Sequence, residues 1–412
     1  MTDTPGVIET ASYGEARPPW AGPLMRALSS LWRVGRLMIV DPAGRTMEVG
    51  PASPQTIVWR IRHWRAFSRM VRRGDIGFAE GYVAGDWDTP DLPALLLAFA
   101  DNYDHLGRLV GGNPVARAID AVRHAFSSNT RKGSRRNIVA HYDLGNDFYA
   151  QWLDRGMTYS SALFDAPDQT LEAAQHAKYA ALADAADIQP GQSVLEIGCG
   201  WGGFAEYLAR ERGVRVTAIT LSPSQKAFAE QRIAGTGLDD RVSIQLIDYR
   251  DVQGTFDRVV SVEMFEAVGE AYWPTFFETV RARLAPGGRA GLQIITIRDD
   301  LLATYRRRPD FIQMYVFPGG MLPSEPRLAR AIGAAGLEGE VVRRFGADYA
   351  ETLRRWRIAF DTGAAATKDE RFRHLWRYYL AYCEAGFRSG RTDVVHMTLS
   401  RDGSASSATV QA

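Results

Sequence analysis

The chain has 412 residues, of which 46% are hydrophobic and 24% are charged. These are ordinary globular values, so they exclude a wholly disordered chain, and the length predicts two or three structural units. The formal net charge of +1 excludes a polycation that holds nucleic acid by neutralising phosphates, and no nucleic-acid partner is expected.

The charge is unevenly distributed along the chain. Residues 1–140 carry 18 Lys and Arg against 13 Asp and Glu, a net charge of +5, which leaves the remaining residues with −4. A basic N-terminal part on an acidic remainder predicts an anionic partner, such as an anionic membrane surface, at one end of the molecule.

Cysteine content and apolar runs indicate the compartment. Cys199 and Cys383 are too few for a disulfide framework or a Cys-based zinc site, so we expect a reducing environment and no metal. No basic region leads into an apolar run near the N-terminus, so no signal peptide is expected. The apolar stretch around Leu92–Ala100 is well short of the roughly 18 residues that span a bilayer. We therefore expect a cytoplasmic protein that meets lipid peripherally, at the inner membrane surface.

The N-terminal part predicts a disordered leader and a small lipid-interacting domain. Residues 1–23 are rich in Pro, Gly, Ser and Thr, and the domain follows at residues 24–105. Within it, Arg60–Arg73 fits a basic amphipathic helix, because Ile61 and Trp64 lie on an apolar stripe flanked by arginines. Such a helix can lie in a membrane interface or pack on its own domain, and both can hold at once.

Turn and linker signals follow this helix. In Gly74–Trp87, glycines spaced between aromatic residues predict turns without direct chemistry. Residues 106–136 are predicted to be a linker, because Gly and Pro lie near one end and the basic, polar run Ser127–Arg136 lies at the other.

Beyond residue 137, strand and helix patterns alternate. Strands are predicted at Ser193–Ile197, Val214–Thr220, Val242–Ile247, Asp257–Val262 and Arg289–Ile295, and helices at Phe204–Arg212 and Pro223–Ala234. This alternation predicts βαβ units with right-handed crossovers, that is, an α/β fold with a mostly parallel, doubly wound, Rossmann-like sheet.

The stretch Val194–Gly203 is typical of a cofactor site. A buried strand ends near Glu196 and runs into Gly198-Cys199-Gly200, which lets the backbone pass close under a ligand at a helix N-terminus. A nicotinamide cofactor would require an acid after the second strand, but Thr220-Leu221-Ser222 provides none. Asp248 follows a later strand, beside the expected position of an adenine. The pattern therefore favours S-adenosylmethionine.

Several stretches together resemble one family. They resemble motifs of the cyclopropane-fatty-acyl-phospholipid synthases and the related mycolic acid cyclopropane synthases, and they are His141–Tyr149, Met157–Ala162, Leu195–Gly203, Val260–Gly269, Phe317–Ser324 and Phe345–Tyr349. Gly77–Tyr82 resembles the extra N-terminal domain of the bacterial members that act on phospholipids. The resemblance runs from about residue 60 to 401 and implies a class I methyltransferase domain at residues 137–401, followed by a disordered tail at 402–412.

The resemblance implies chemistry on a cis double bond of an acyl chain that is esterified in a phospholipid. The sulfonium methyl of S-adenosylmethionine is strongly electrophilic, so proximity and orientation supply much of the catalysis. The resulting carbocation must be shielded from water and lose a proton to one well-placed base. Loss from the new methyl group closes a cyclopropane, whereas loss from a neighbouring carbon leaves a methyl-branched or methylene-bearing chain.

The resemblance also assigns residues. Glu266 and Tyr349 match family positions that hold a bicarbonate ion acting as the base, and the backbone of Ile295 matches a third contact. The positions that match the lining of the cofactor site are Tyr159, Ser160, Gly198, Gly200, Thr220, Leu221, Gln225, Asp248 and Tyr249. Glu196 and Arg250, which adjoin these positions, are also expected to bind the cofactor. A cap over the acyl pocket is expected at about residues 298–322, with these candidates to line it: Phe311, Met314, Tyr315 and Phe317.

The chain departs from the family at catalytic positions. Ser161 stands where the family usually has Cys, Gln293 where it has His, and Ala267 where a His commonly follows Glu266. Gln cannot titrate in place of His. Glu263 stands where the family tends to have a small residue, one helical turn before Glu266 if the segment is helical. Two carboxylates so close would raise one pKa, which gives either a protein-borne base that makes bicarbonate unnecessary or a second acid that points away.

Several functions stay open at this stage. The departures favour a branch that methylates unsaturated chains without ring closure, with a downstream reductase or oxidase, and a true cyclopropane synthase is the alternative. A small-molecule N-methyltransferase is a further alternative, against which the basic aromatic helix argues. A lipid-binding protein with a vestigial cofactor fold is another, against which the intact Glu196, Gly198, Gly200 and Asp248 argue. Because several family members are dimers, the resemblance also implies a homodimer.

Overall fold

A computed structural model gives the structure of the protein and describes residues 15–110, 113, 130, 133, 144–363 and 369–401. Three sequence predictions fall wholly or largely outside these residues. They are the first fourteen residues of the leader, most of the linker after residue 110, and the tail at 402–412.

The described residues form helices and strands in the following order. The helices are α1 (Ala21–Leu31), α2 (Arg65–Val83), α3 (Leu92–Asp101), α4 (Tyr103–Val110), α5 (Asn146–Ala150), α6 (Leu171–Ala185), α7 (Gly203–Glu211), α8 (Pro223–Thr236), α9 (Trp273–Arg283), α10 (Asp299–Tyr305), α11 (Phe311–Tyr315), α12 (Glu325–Ala334), α13 (Gly346–Thr362) and α14 (Glu370–Arg388). The strands are β1 (Arg36–Val40), β2 (Thr46–Val49), β3 (Thr56–Ile61), β4 (Trp87–Asp88), β5 (Ser193–Ile197), β6 (Arg215–Thr220), β7 (Val242–Leu246), β8 (Phe256–Val262), β9 (Leu284–Ile297), β10 (Leu337–Arg344) and β11 (Thr392–Arg401). Short 3-10 helices lie at Tyr249–Asp251, Phe265–Ala267 and Glu270–Tyr272.

The chain divides into two compact units. Unit 1 comprises residues 1–120 and 368–389, and unit 2 comprises residues 121–367 and 390–412. In unit 1 the sheet has the order β2-β1-β3-β4, with β1 parallel to β3 and the other neighbours antiparallel. Its core centres on the buried Trp59, whose ring contacts lie at centroid distances of 5.2–6.2 Å from Phe67, Phe78, Phe99 and Trp87.

The leader and linker boundaries predicted from the sequence are wrong by a few residues. Helix α1 begins at Ala21, inside the predicted leader, because Met25 and Leu28 form a buried stripe on it. Helix α4 extends to Val110, inside the predicted linker, and its Leu106 is fully buried. Apolar residues at helical spacing therefore outweigh the local Gly and Pro content at both boundaries.

The predicted helix Arg60–Arg73 is also displaced. Its first residues belong to β3, where Trp59 and Ile61 are buried in the alternating pattern of a strand. Helix α2 begins at Arg65 and continues to Val83, through most of the segment predicted to be turns. Only Gly74 has a non-helical backbone there, with φ 63° and ψ −134°.

The later glycines of α2 serve close packing rather than turns. A Cβ on Gly77 would lie 2.0 Å from the carbonyl oxygen of Arg69, and a Cβ on Gly81 would lie 3.0 Å from the Trp87 indole. Only glycine lets these segments approach so closely. The sequence pattern of glycines and aromatic residues does not distinguish such close packing from turns.

The arginines of α2 are engaged within unit 1. Asp86 is fully buried and accepts hydrogen bonds from Arg65 and, at 2.8 Å, from Arg69. Arg73 forms an ion pair with Glu80. Because these cations neutralise carboxylates of the same unit, they contribute less to an outward basic surface than the sequence suggests.

Helix α14 belongs to unit 1, although the sequence placed it in the methyltransferase domain at residues 137–401. It packs against α3 and α2. The Tyr82 ring lies 5.0 Å from His374 and 5.8 Å from Tyr378, measured between centroids. Continuity of the chain suggested one domain, but the apolar face of α14 is buried against helices that lie more than 250 residues earlier.

Unit 2 is the predicted α/β domain. Its sheet has the order β10-β11-β9-β8-β5-β6-β7, in which the five strands from β9 to β7 run parallel and β10 and β11 are antiparallel additions. The fold class is therefore confirmed. Strand β5 has the predicted bounds, β9 is longer than predicted, and β10 and β11 were not predicted.

Both faces of this sheet are covered by apolar side chains. Phe276 and Phe277 from α9 pack on one face, and Leu182, Ala183 and Leu208 from α6 and α7 pack on the other. With both faces buried, ligands can reach the sheet at the carboxyl ends of its parallel strands. Among the described residues, no helix is both long and apolar enough to cross a membrane.

Candidate active site

The glycine turn after β5 leaves room for a ligand. Gly198, Gly200 and Gly202 have φ values of 85°, 53° and 82°, which L-residues other than glycine rarely adopt. A Cβ on Gly198 would lie 2.6 Å from Cγ of Met264, whereas a Cβ on Gly200 would project into open space. The backbone at Gly200 is thus exposed to the region in front of α7.

Glu196, at the end of β5, lacks a partner for one oxygen. Its side chain is 2% exposed, and Oε2 has no hydrogen-bond partner within the described part of the chain. Burial raises the pKa of this carboxyl to about 8, against the opposing effect of the Lys178 charge. An unpaired buried oxygen is costly, so a ligand donor at this position would stabilise the site.

Thr220 and Gln225 join the end of β6 to the start of α8. The Thr220 hydroxyl donates to Gln225 Oε1 at 2.9 Å and accepts from the Ser222 backbone at 3.1 Å. Gln225 is buried, not on the outer surface of its helix, and Leu221 between the two elements is half-buried.

Asp248 and Arg250 form a bidentate pair beyond β7. Arg250 donates through Nε at 2.7 Å and through Nη2 at 2.6 Å, and its backbone N–H donates to the same carboxylate at 3.0 Å. The guanidinium lies 5.3 Å from the Tyr249 ring centroid. The Tyr249 hydroxyl is buried without a partner in the described chain, and burial raises its pKa to about 12.

Tyr159 and Ser160 approach the same edge of the sheet from a loop. The Tyr159 ring lies 5.4–5.6 Å from the rings of Tyr149, Trp152 and Trp356, measured between centroids. The Ser160 hydroxyl accepts a hydrogen bond from Lys178 Nζ at 2.7 Å. These contacts hold the loop that carries Ser161.

The predicted cofactor residues therefore meet at the carboxyl ends of β5, β6 and β7. The open glycine turn, the unpaired oxygen of Glu196 and the aromatic and carboxylate pair at Asp248-Tyr249 suit a ligand with an ammonium group, hydroxyls and an aromatic base. S-adenosylmethionine has all three, so the residues present fit this cofactor.

The second predicted group centres on Glu263, just after β8. Its Oε1 accepts from the Ser161 backbone N–H at 2.8 Å and from Gln293 Nε2 at 2.7 Å. Its Oε2 accepts from the Tyr349 hydroxyl at 2.6 Å. The carboxylate of Glu263 is thus held by these three donors and does not point to solvent.

The backbone of Glu263 is in a left-handed conformation, with φ 48°. The sequence placed this residue one helical turn before Glu266, but it lies in a turn, and the 3-10 helix begins only at Phe265. A non-glycine residue with positive φ costs of order 1 kcal/mol or more and persists where its surroundings hold it. Here the backbone N–H donates to the Gln293 carbonyl at 2.9 Å, and the side chain is bound on three sides.

Glu266 lies beside Glu263 with a different partner. Its Oε1 accepts from the Ile295 backbone N–H at 2.5 Å, and its Oε2 is buried without a hydrogen bond among the described residues. Burial and then the negative charge of Glu263 raise the pKa of Glu266 to about 8. The pKa of Glu263 is also raised by burial, opposed by its hydrogen bonds to Tyr349 and Ser161. The two carboxyls therefore form a coupled pair.

Ser161 contributes its backbone rather than its hydroxyl. The hydroxyl donates to the Ala162 carbonyl at 2.9 Å, while the amide donates to Glu263. The departure from Cys to Ser thus leaves the contact to the carboxylate unchanged.

Two buried residues of this region were missed by the sequence analysis. Lys178 on α6 is fully buried, and burial lowers its pKa to about 8, opposed by the charges of Glu263, Asp154 and Glu196. His396 on β11 is 1% exposed and hydrogen-bonds through Nε2 to Gln293 Oε1 at 2.9 Å. Each had a sequence signal, because Lys178 lies at helical spacing from Ala174 and Leu182, and His396 stands within the apolar run Val394–Met397.

The predicted cap contains α10 and α11. The Phe317 ring lies 6.4 Å from the Tyr159 ring, and the Met321 backbone N–H donates to the Glu266 carbonyl at 2.8 Å, so the end of this segment adjoins the site. Phe311 is buried, but Tyr315 is 40% exposed and does not line an enclosed site. Met314 is half-buried.

Comparison with known proteins identifies the family. The sequence model described as mycolic acid cyclopropane synthetase matches residues 129–397. The chain is 41% identical to tuberculostearic acid methyltransferase from Mycobacterium tuberculosis, over 86% of each chain. It is 35% identical to cyclopropane-fatty-acyl-phospholipid synthase from Escherichia coli K12, over 83% of this chain and 87% of the relative.

A solved structure agrees with the sequence relatives. A crystal structure of a mycolic acid cyclopropane synthase complexed with SAH and CTAB matches with a TM-score of 0.59 and 31% identity, over 64% of this chain and 97% of the other. The expected family, the methyltransferase fold and the use of S-adenosylmethionine are therefore confirmed. The chain belongs to the cyclopropane synthase family of S-adenosylmethionine-dependent methyltransferases.

Proposed function

We propose that this enzyme transfers a methyl group to the cis double bond of an unsaturated acyl chain in a membrane phospholipid, and that it gives a methylene or methyl-branched chain. Methyl transfer to unsaturated fatty acyl chains is the chemistry of the family. The product and the identity of the base are the parts that we propose.

The reaction needs a base in a water-free site. When bound, S-adenosylmethionine supplies an electrophilic methyl group. Once one alkene carbon carries that methyl group, the other carbon is a cation, and one proton must leave before the product is neutral. If a hydride first moves to the cationic carbon, proton loss from the methyl group gives a methylene branch. Without that shift, proton loss from the methyl group closes a ring.

The observation that carries the proposal is the position of the Glu263 carboxylate. Oε1 accepts two hydrogen bonds, which fills its lone pairs, whereas Oε2 accepts, from the residues that the structure describes, only the hydrogen bond of Tyr349. One lone pair of Oε2 remains to take a proton. Because the carboxylate is fixed by three donors from separate elements, it can serve as a well-placed general base.

A protein-borne base makes bicarbonate unnecessary. The family resemblance assigns the Tyr349 hydroxyl and the Ile295 backbone to bicarbonate, but the first donates to Glu263 and the second to Glu266. A bicarbonate ion would also be repelled by the negative charge of ionised Glu263. Two of the donors expected to hold bicarbonate are therefore already engaged by carboxylates, and we assign no step to bicarbonate.

The product assignment has support from the sequence relatives. The relative with 41% identity is named a tuberculostearic acid methyltransferase, and the one with 35% identity is a cyclopropane synthase. A methylene product would be the substrate of a reductase or oxidase that acts downstream.

Ring closure remains the competing outcome. It is favoured by one feature, Oε2 of Glu266, which has no hydrogen-bond partner among the described residues and could accept from the O–H group of a bicarbonate ion. Addition of bicarbonate would then raise the rate of the wild-type enzyme.

Proton NMR of lipids from a host that makes cis-unsaturated phospholipids and expresses the protein separates these products. Mass does not, because each route adds a methyl group and loses a proton. Vinylidene or methyl-branched signals support the proposal, and high-field cyclopropane signals contradict it. The Glu263→Gln variant in the same host tests the base, and exposed Glu172→Gln on α6 is the matched control.

Peripheral membrane binding and a homodimer are further parts of the proposal. The exposed residues of α2 are Arg65, Val71 and Arg72, and Arg65 is ion-paired with Asp86. Sedimentation with anionic and neutral vesicles at two salt concentrations tests membrane binding, because salt screens charges and weakens charge-dependent binding. Sedimentation velocity tests the second.

A further inference from the structure

The Gln293 side chain faces two different partners. Its Nε2 donates to Glu263 Oε1 at 2.7 Å, and its Oε1 lies 2.9 Å from His396 Nε2. An amide that rotates by half a turn would exchange its donor and acceptor, and would present its oxygen to the carboxylate. Whatever fixes this amide therefore decides whether Glu263 is hydrogen-bonded or repelled.

His396 is suited to fix the amide. It is 1% exposed on β11, it pairs directly with Gln293 of β9 in the sheet register, and the Phe345 ring packs edge-on against it at 4.7 Å. Burial lowers its pKa to about 3, with further lowering by the charges of Lys178 and Arg343. The imidazole is therefore neutral at physiological pH and carries one proton, on either of its nitrogens.

We propose that His396 is a positioning residue that carries its proton on Nε2, donates it to Gln293 Oε1 and thereby holds the Gln293 N–H toward the Glu263 carboxylate. This inference rests on the proposed role of Glu263 as the base. It adds a second hydrogen bond to the Gln293–Glu263 contact, so that the chain of contacts runs from β11 through β9 to the turn after β8.

The arrangement stabilises the ionised form of Glu263. Tyr349 from α13, the Ser161 amide and Gln293 donate to the carboxylate, and Lys178 from α6 supplies a positive charge. The neighbouring Glu266, with a pKa of about 8, is largely protonated at pH 7. Loss of the oriented amide removes one of these stabilising contacts, so the pKa of Glu263 rises. The base is then ionised only at higher pH.

Two substitutions at one position separate positioning from packing. His396→Phe keeps a ring of similar size but has no donor. His396→Gln places an amide nitrogen at about the reach of Nε2 and restores the donor. The exposed His176→Phe on α6, outside this chain of contacts, is the control for loss of a histidine ring.

The assay measures turnover against pH with dioleoyl phospholipid vesicles and S-adenosylmethionine, with cofactor affinity from calorimetric titration. We expect His396→Phe to lower kcat about five- to fifty-fold, to move the acid limb of the kcat profile to higher pH and to leave cofactor affinity unchanged. We expect His396→Gln to restore both kcat and the position of the acid limb.

Other results would overturn the inference in distinguishable ways. If His396→Phe lowers kcat by the same factor at every pH and His396→Gln does not restore kcat, His396 has a packing role only. If His396→Phe has the wild-type kcat and the wild-type acid limb while Glu263→Gln is inactive, His396 has no part in the mechanism but Glu263 is still the base. A wild-type rate in Glu263→Gln overturns the proposed base and the inference together.

Discussion

The hydroxyl of Tyr349 donates to Oε2 of Glu263 at 2.6 Å, from the first turn of α13 to the turn after β8. This contact binds the oxygen that retains a free lone pair. A hydrogen bond to the ionised form of a carboxylate lowers its pKa, so Tyr349 opposes the effect of burial on Glu263. Tyr349 thus lowers the pKa of the carboxyl that we propose as the base.

Replacing Tyr349 with Phe removes the hydroxyl and keeps the ring, which lies 6.2 Å from the Trp356 ring. The pKa of Glu263 should rise, because one donor to its ionised form is lost. We expect turnover at pH 7 to fall about 10- to 100-fold, with partial recovery at higher pH. A pH–rate profile measures this. A loss that is independent of pH would assign the hydroxyl to substrate placement.

Glu263 and Glu266 should respond differently to the same substitution. Glu263→Gln removes the base, so we expect turnover to fall about 10²- to 10⁴-fold with cofactor affinity intact. Glu266→Gln should cost less than about fivefold, because a carboxyl with a pKa of about 8 is largely protonated at pH 7 and an amide oxygen can still accept from Ile295. A larger loss in Glu266→Gln than in Glu263→Gln, measured in single-turnover assays, would exchange the two roles.

The raised pKa of Glu266 also makes the stability of the enzyme depend on pH. Its pKa is about 8 in the folded protein and 4.5 ordinarily, so the folded state binds the proton more tightly. The stabilisation is fully present below pH 4.5 and is lost as pH rises through 8.

Thermal unfolding without cofactor tests this dependence. Glu266→Gln should raise the melting temperature at pH 8.5 relative to wild type and change it little at pH 5. Glu172→Gln, an exposed change on α6, should not alter the difference between the two pH values. A shift of equal size at both pH values would assign the effect to packing.

The local sequence was sufficient to predict the parallel part of the fold and the cofactor edge. Strand β5 and the glycine turn after it combine apolar periodicity with a backbone requirement that only glycine meets, and both are local properties. Glu196, Thr220 and Asp248 lie at or just after the carboxyl ends of neighbouring parallel strands. Their grouping at one edge of the sheet therefore follows from the order of those strands.

Contacts between distant segments could not be predicted in this way. Glu263 binds groups that lie 102 residues before it and 30 and 86 residues after it, and no local pattern aims its side chain. The packing partners of α14 could not be predicted either, because its apolar face does not show which helices it contacts. Likewise, the burial of Asp86 depends on arginines of α2. A departure from the family at one position marked Glu263 as unusual, but only geometry assigns its partners.

Lys178 supplies the buried positive charge of the site, and two substitutions separate its charge from its hydrogen bond. Lys178→Gln keeps a donor for Ser160, whereas Lys178→Met removes it. Both lose the charge that favours ionised Glu263, so both should move the acid limb of the pH–rate profile to higher pH. Only Lys178→Met should also weaken cofactor binding, through the loop at Ser160. If neither variant moves the acid limb, Lys178 is structural.

The ion pairs of Asp86 make a separate prediction for unit 1. Its carboxylate is fully buried between the guanidinium groups of Arg65 and Arg69, and removing one charge from such a group leaves the others without compensation. We expect Asp86→Asn to lower the free energy of unfolding by about 1–3 kcal/mol, since both arginines can still reach water. Arg72→Gln on the exposed side of α2 should change it by less than about 0.5 kcal/mol. Urea unfolding measures this change, and vesicle sedimentation of the same two variants separates stability from membrane binding. Arg72→Gln should weaken sedimentation with anionic vesicles while Asp86→Asn, below its unfolding transition, should not. The reverse pattern would assign the membrane contact to Arg65 and Arg69, the arginines that pair with Asp86.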